Sequence, residues 1–199
     1  IDPVRYMGNN SSGKQGHAIA AALARHGSDV ILVSGPTSEP NPTGVKTMHV
    51  ESARDMLASC EAALPVELAI CAAAVSDWRV AELNMIKLKK QPNTVRTLAL
   101  VENPDILASL SQHGSLRPQL VVGFAAETNN LNEYAEKKLL EKNCDLIIAN
   151  DISDPTIGFG SDFNEVSIFY KNMKYEKIPK MKKSLLADKI VKKVISYLN

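Results

Sequence analysis

Cysteine and long apolar runs are both scarce in this chain of 199 residues. Its three cysteines, Cys60, Cys71 and Cys144, are too few and too scattered for a disulfide framework or a Cys-x-x-Cys metal site. We therefore expect buried, unreactive thiols in a reducing cytosol. No apolar run approaches the roughly 20 residues that span a bilayer, and no signal peptide precedes the first motif. These absences predict a cytoplasmic protein with no membrane partner.

A charge excess of one sign is also missing. Lys and Arg number 23 and Asp and Glu number 22, so the net charge is +1. This balance argues against a protein that coats nucleic acid, although a local cluster could bind a phosphorylated small molecule. With 45% hydrophobic residues, the chain is long enough for one domain with a buried core.

Segments with strand and helix periodicity alternate from Ser11 onward, which predicts an α/β fold. Its expected form is Rossmann-like and doubly wound, with a mostly parallel sheet and ligands at the carboxyl ends of the strands. Strands are predicted at 29–36, 67–75, 119–127 and 144–151, and helices at 13–27, 53–64, from 103 onward, 130–143 and 184–198. An antiparallel hairpin is predicted at about 165–178, and an exposed flap at about 84–97.

Two helix starts carry specific signals. Ser52 and Asp55 have the spacing of a capping box. In the run Asn103-Pro104-Asp105, we expect Asn103 to cap the helix, Pro104 to occupy its first position and Asp105 to lie near its positive end.

No predicted strand precedes the first helix, although a sheet of this type normally has one there. Only the stretch IDPVRYM stands in front of the loop. We therefore expect a single domain over residues 1–199 whose first strand lies upstream in the natural polypeptide.

The loop GNNSSGKQG, residues 8–16, resembles a phosphate-binding loop. It approaches the Walker spacing, but Gln15 stands where a magnesium-binding hydroxyl is needed. A dinucleotide site needs G-x-G-x-x-G, and the glycines here have the wrong spacing. Ser11, Ser12, Gly13 and Lys14 remain a candidate anion loop at a helix N-terminus, with an ordinary Ser/Gly-capped helix as the alternative.

A short-chain dehydrogenase would carry the pattern Tyr-x-x-x-Lys. This pattern occurs twice, as Tyr134 with Lys138 and as Tyr170 with Lys174. Two occurrences in unrelated contexts show how common the pattern is. A surface helix and a surface turn are the favoured interpretations.

The stretch IDPVRYMGNNSSGKQG resembles the D-x-V-R-x-I-x-N-x-S-S-G-K-x-G signature of phosphopantothenate–cysteine ligase, the synthetase half of the bacterial bifunctional coenzyme A biosynthesis flavoprotein. Further strings resemble family segments in the same order over essentially the whole chain: AAAVSDWR, KLKK, ENPDIL, VGFAAET, ANDIS and GFGSDFNEVSIF. Family members carry a strand and a Gly-Gly-Thr-x-Glu-Pro turn before this signature. Gly8 departs from the Ser or Thr usual there, and the stretch after KLKK is short.

The resemblance implies a ligase of coenzyme A biosynthesis. Its substrates would be 4′-phosphopantothenate, L-cysteine and CTP with Mg²⁺, and its products phosphopantothenoylcysteine, CMP and pyrophosphate. It also implies a homodimer and fusion to, or association with, a flavin-dependent decarboxylase. The magnesium ligands cannot be named from the sequence.

The family match assigns two central roles. Lys87 would stabilise the triphosphate while the acyl-cytidylate forms, and Asn9 would hold that intermediate. Asp77 would contact either the cytosine amino group or the ribose, and Phe124 either touches the nucleotide or packs in the core.

The implied site residues fall into three groups. The catalytic group is Asn9, Lys87, Arg5 and Ala74. The CTP-binding group is Cys71, Ala72, Ala73, Asp77, Lys87, Pro104, Asp105, Ile106, Leu107, Phe124, Lys138 and Lys142. The phosphopantothenate-binding group is Asn9, Ser11, Ser12, Gly13 and Lys14.

Two rival functions remain open. One is an NAD(P)-dependent oxidoreductase on the same sheet, which NADPH but not CTP would stabilise. The other is a non-catalytic nucleotide-binding regulatory subunit. The presence of both Asn9 and Lys87 argues against the second.

Overall fold

The computed structural model describes residues 1–90, 92, 94–153 and 160–198. Its helices are α1 (Lys14–Arg25), α2 (Ala53–Ala62), α3 (Ile106–Ser111), α4 (Leu131–Lys142) and α5 (Lys183–Leu198). Its strands are β1 (Ile31–Ser34), β2 (Lys46–His49), β3 (Leu68–Cys71), β4 (Trp78–Val80), β5 (Leu100–Glu102), β6 (Leu120–Glu127), β7 (Leu146–Asp151), β8 (Phe163–Tyr170) and β9 (Tyr175–Lys182).

The central sheet has five strands in the order β3-β6-β7-β8-β9. The first three run parallel and the last two are antiparallel, with Cys71 beside Gly123 and Ala126 beside Asn150 at the carboxyl ends. A parallel pair, β1 with β2, and an antiparallel ribbon, β4 with β5, form separate sheets. The predicted fold class, a mostly parallel α/β sheet with an antiparallel hairpin, is confirmed.

Helices cover both faces of this sheet, because β6 and β7 alternate their side chains between two apolar layers. On one face, Val122 and Ile148 pack with residues of α1 and α5. On the other, Val121 and Ile147 pack with α3 and α4. These side chains are essentially fully buried, and each such burial contributes roughly 1.5–3 kcal/mol. The doubly wound arrangement therefore follows from near-continuous apolar runs in the central strands.

The structure also contains elements that the sequence did not predict. β2 reads KTMH and β4 reads WRV, and runs this short and mixed give no periodic signal. The β4–β5 ribbon forms the base of the predicted flap, of which residues 91 and 93 lie outside the described residues. Of the string GFGSDFNEVSIF, residues 158 and 159 also lie outside them.

One predicted cap is confirmed and one is wrong. The reciprocal Ser52–Asp55 capping box opens α2. Asn103, however, does not cap α3: the N-cap is Asp105, whose carboxylate accepts the Ala108 N–H at 2.9 Å. Asn103 instead donates its side-chain amide to the Ser76 and Trp78 carbonyls, at 2.8 and 3.2 Å, and so holds the start of the ribbon.

β1 and β3 pack against the same two apolar clusters, although they belong to different sheets. Leu32 of β1 and Ile70 of β3 pack against the α1–α5 layer. Val33 and Ala69, their neighbours in the chain, pack against a cluster built on Met56, Ile106 and Leu110. Among the described residues, no helix is long and apolar enough to cross a bilayer.

Candidate functional site

The carboxyl end of β3 and the start of α1 meet at one rim of the sheet. A Cβ placed on Gly16, in the first turn of α1, would lie 3.8 Å from the Ala72 Cβ. Asn9, in the loop before α1, donates its side-chain amide to the Val75 carbonyl at 3.1 Å. The structure therefore brings predicted residues of the anion loop beside the predicted nucleotide-binding segment 71–77.

Backbone geometry shapes the anion loop. Gly13 has φ +75°, a conformation that favours glycine, and a Cβ there would lie 2.7 Å from the Thr37 Oγ1. The Thr37 hydroxyl donates to the Ser12 carbonyl at 2.7 Å. Sequence reasoning missed Thr37, which lies in the loop after β1 and belongs to no recognisable pattern.

Lys14 is engaged by the segment that precedes β8. Its ammonium donates to the Asp162 carboxylate at 2.5 Å and to the Gly160 carbonyl at 3.3 Å. Asp162 raises the pKa of Lys14, and Lys14 lowers the pKa of Asp162. Lys14, which was predicted to bind phosphate, is thus held near the N-terminus of α1 by Asp162. The sequence analysis did not single out this acidic partner.

A second group of predicted residues meets at the N-terminus of α3. The Asn103 N–H donates to the Asp77 carbonyl at 2.8 Å, and the Lys142 ammonium lies 2.5 Å from the Asp105 carboxylate. Burial opposes ionisation of Asp105, but hydrogen bonds from the Ala108 N–H and from Lys142 hold its pKa below the ordinary value. Asp105 in turn raises the pKa of Lys142.

Lys138 and Lys142 are four residues apart and lie on one side of α4. The Lys138 ammonium donates to the Phe124 carbonyl at 2.8 Å, at the carboxyl half of β6. Both lysines line an open groove of about 340 Å³ between α4 and the end of β6, together with Glu127, Tyr134, Lys137 and Glu141.

Phe124 and Leu107 lie on opposite faces of the sheet, although both were assigned to the nucleotide. The Phe124 side chain packs against the α1–α5 layer. Leu107 packs on the other face, where a Cβ on Gly123 would lie 2.5 Å from the Leu107 Cδ2. Gly123 therefore permits the close approach of α3 to β6. Of the two alternatives for Phe124, the contact that the structure shows is core packing.

Cys71 ends β3 within this rim. Burial raises the pKa of its thiol to about 12, so the group stays protonated at neutral pH. The protonated thiol agrees with the expectation that the cysteine is unreactive.

Arg5 contacts the flap next to Lys87, and its guanidinium is held by Asp2, a residue that the sequence analysis missed. The Arg5 guanidinium forms an ion pair with Asp2, and its Nη2 donates to the Leu88 carbonyl at 3.0 Å. Lys87, next to Leu88 in the flap, is exposed. Asp2 stands inside the D-x-V-R string, which offered the only sequence signal for it.

No cluster of three or more His, Cys, Asp or Glu side chains that could hold a metal ion occurs among the described residues.

A glycine-containing loop at a helix start and lysines near the carboxyl ends of parallel strands are features typical of nucleotide-binding α/β domains. A family model described as "DNA/pantothenate metabolism flavoprotein C-terminal domain" matches residues 1–198. The chain belongs to this family, which confirms the resemblance drawn from the sequence.

Two kinds of relative support the assignment. The coenzyme A biosynthesis bifunctional protein CoaBC of Escherichia coli strain K12 is 45% identical over 199 residues, covering 98% of this chain and 48% of the relative. A crystal structure of the C-terminal domain of a CoaBC protein is 39% identical, with a TM-score of 0.79, and covers 100% of this chain and 89% of that one. The crystal structure of the DNA/pantothenate metabolism flavoprotein from Streptococcus pneumoniae shares the fold at 21% identity. Its TM-score is 0.80, over 99% of this chain and 93% of that one. The chain spans about half the length of the curated relatives it matches.

Proposed function

We propose that this domain joins 4′-phosphopantothenate to L-cysteine in coenzyme A biosynthesis, using CTP. Its membership of the family and its similarity to a CoaBC C-terminal domain support this function. The observation that carries it is the Asn9–Val75 contact, because it sets the loop assigned to the acyl intermediate against the strand end assigned to the nucleotide.

The reaction proceeds in two steps. A carboxylate oxygen of 4′-phosphopantothenate attacks the α-phosphate of CTP, forming an acyl-cytidylate and releasing pyrophosphate. The cysteine amine then attacks the acyl carbon, CMP leaves, and the amine gives up a proton. Both steps gather anions, so cations and backbone donors at the rim serve better than a strong base.

In the first step, Lys87 neutralises charge on the triphosphate, aided by Lys138 and Lys142. Lys142 is held by Asp105, so it exchanges a carboxylate partner for phosphate when the nucleotide binds. Asp77 contacts the cytidine. The strand-end residues Cys71, Ala72 and Ala73 and the α3 start at 104–107 lie along the nucleotide.

In the second step, Asn9 orients the acyl-cytidylate. Its amide both donates and accepts, so it holds an acyl oxygen without adding charge. Small size at Ala74 leaves room beside it. Ser11, Ser12, Gly13 and Lys14 hold the phosphate of phosphopantothenate, and the geometry of Gly13 permits close backbone approach.

In this proposal, the phosphates of the nucleotide and water would hold most of the Mg²⁺ coordination sphere, and the ion would neutralise charge on the triphosphate. The described residues provide no acidic cluster for the ion, and Mg²⁺ is commonly held by substrate phosphates and water with one or two carboxylates.

We further infer that a parallel strand from upstream of residue 1 completes the sheet between β1 and β3. Both strands present residues to the same two apolar layers without sharing a ladder. Extending the chain upstream should raise its melting temperature; an extension that leaves it unchanged would count against this placement.

The same family proposal includes a homodimer. Tyr6 in the N-terminal segment and Met85, Ile86 and Val95 in the flap are each at least 80% exposed, so they are apolar side chains that an association surface could cover. A monomer in sedimentation equilibrium at micromolar concentration would exclude this pairing. A decarboxylase fused upstream and a cytoplasmic location follow from the same family proposal.

The function is tested by supplying 4′-phosphopantothenate, cysteine and Mg²⁺ with either CTP or ATP. We expect CMP, pyrophosphate and phosphopantothenoylcysteine in equal amounts from CTP, and much less product from ATP. No CMP release would refute the proposal. A rise in melting temperature with NADPH but not with CTP would favour an oxidoreductase, and CTP binding without turnover would favour a regulatory subunit.

A further inference from the structure

Asp2 is a buried carboxylate that the proposed reaction does not use. Its side chain is 0% exposed. It accepts the backbone N–H groups of Val4 and Arg5, at 2.9 and 3.0 Å, and the Arg5 Nε at 3.0 Å. It also accepts the Leu88 N–H at 3.1 Å, across 86 positions of sequence.

These contacts fasten the flap to the N-terminal turn at two places. Leu88 gives its N–H to Asp2 and its carbonyl to the Arg5 guanidinium, so both of its backbone polar groups are held. Four residues earlier, the Asn84 N–H donates to the Ile1 carbonyl at 3.2 Å. The backbone on both sides of Lys87 is therefore fixed, while the Lys87 side chain is exposed.

The charge of Asp2 matters to this fastening. The hydrogen bond from the Arg5 side chain is the main cause that holds the pKa of Asp2 well below its ordinary value, against the opposing effect of burial. The carboxylate is therefore ionised throughout the neutral range. A neutral group of the same shape would weaken the bonds from the guanidinium and the Leu88 N–H, because charge-assisted hydrogen bonds are roughly twice as strong as neutral ones.

We propose that Asp2 is a positioning residue that holds Lys87, through Leu88, at the reacting end of the nucleotide. The proposed function assigns Asp2 no substrate contact, and its bond to the Leu88 N–H carries its effect to the flap backbone. Segment 1–9 also carries Asn9, whose amide is fixed to Val75. Segment 1–9 thus positions both Lys87, which is assigned to the first half-reaction, and Asn9, which is assigned to the second. This inference rests on the proposed function.

The test compares Asp2→Asn with Glu82→Gln in the full natural polypeptide. Glu82 lies in the same region and is exposed, so its variant makes the same change of charge away from Leu88. Two rates are measured: pyrophosphate release in the first half-reaction, and tryptic cleavage after Lys89 and Lys90 without substrates. We expect Asp2→Asn to slow pyrophosphate release at least about tenfold and to speed flap cleavage by a similar factor. Glu82→Gln should leave both rates near wild type.

A double-mutant comparison separates positioning from general damage. If Asp2 acts through Lys87, then Asp2→Asn combined with Lys87→Gln releases pyrophosphate no more slowly than Lys87→Gln alone. Independent, multiplicative losses would overturn the proposal, as would wild-type release and cleavage rates in Asp2→Asn. If Asp2→Asn does not fold, Asp2→Glu, which keeps the charge but moves it by one methylene, carries the same comparisons.

Failure of the proposed function gives a different pattern. The wild-type protein would then release no pyrophosphate, while the cleavage rates of Asp2→Asn and Glu82→Gln would still decide whether Asp2 holds the flap.

Discussion

At the scale of single residues, the rim combines side chains that bear polar chemistry with side chains that give shape. Cys71 belongs to the second kind, since burial keeps its thiol protonated. Asn9 belongs to the first: its amide is fixed to the Val75 carbonyl, which leaves its oxygen as an acceptor next to the strand end. The proposed division of labour therefore makes Asn9 the residue whose replacement should separate the two half-reactions.

We predict that Asn9→Asp still releases pyrophosphate from CTP but forms amide product at least about 100-fold more slowly. The carboxylate loses the donor that contacts Val75 and repels the anionic acyl-cytidylate. Rapid-quench analysis of pyrophosphate and product measures both steps. Asn10→Asp, an exposed neighbour with the same change of charge, serves as the control and should retain both rates. Full turnover by Asn9→Asp would remove Asn9 from its assigned role.

At the scale of elements, the position of α3 depends on the absence of a side chain at Gly123. A Cβ there would lie 2.5 Å from the Leu107 Cδ2 and 2.7 Å from the Ile147 Cδ1. Leu107 follows the α3 cap Asp105, which pairs with Lys142 of α4. The packing of one glycine thus sets where the α3 start stands relative to the lysines of α4.

We predict that Gly123→Ala lowers the free energy of unfolding by roughly 1–3 kcal/mol, because it overpacks this contact. Gly35→Ala is the matched control: its Cβ would meet only the Met56 Cε, at 3.7 Å. That variant should change stability by no more than about 0.5 kcal/mol. Urea denaturation of the three proteins measures the difference. Equal stability of the two variants would show that α3 yields without cost.

Asp145 links the start of β6 to Lys171, which follows β8, at the end of the sheet opposite the carboxyl rim. Its carboxylate accepts the Val121 N–H and the Arg117 Nη2, both at 2.8 Å, and lies 2.9 Å from the Lys171 ammonium. Burial opposes ionisation, but the hydrogen bonds from Lys171, Val121 and Arg117 hold the pKa of Asp145 below its ordinary value. Its contribution to stability is therefore present above about pH 4, the unfolded pKa, and is lost as the pH falls through the lowered folded pKa.

We predict that Asp145→Asn costs about 1–3 kcal/mol of unfolding free energy at pH 7, and that its deficit against wild type shrinks below about pH 4. Denaturant titrations at several pH values measure the two curves. Asp29→Asn, an exposed control, should follow the wild type throughout. A deficit that is constant from pH 7 to pH 3 would mean that the charge of Asp145 is not the stabilising feature.

At the scale of the whole molecule, periodicity predicted the layers and the long elements well. The apolar runs of β6 and β7 are buried on both faces, so their sequence signal is strong. The short strands β2 and β4 escaped notice because three or four mixed residues establish no period. Asn103 was misplaced because a capping residue is chosen by where the helix starts, and tertiary contacts with the ribbon decided that.

The candidate site was only partly predictable, for a related reason. Motif resemblance supplied Asn9 and Lys142, but not the partners that fix them. Asp2 and Asp162 act through contacts 86 and 148 positions apart in sequence, which no local pattern contains. The assignment of Arg5 to the catalytic group likewise gave no indication of its buried acidic partner, Asp2.

The proposed function requires a cytidine nucleotide at the carboxyl rim, between the segment at 71–77 and the lysines of α4. The most direct measurement is a crystal structure of the full protein soaked with CTP and 4′-phosphopantothenate. We predict electron density for cytidylate beside Asp77, with phosphates toward Lys138 and Lys142 and the acyl group at Asn9. Density for the nucleotide at any other surface, or a rim left empty at saturating CTP, would refute this site.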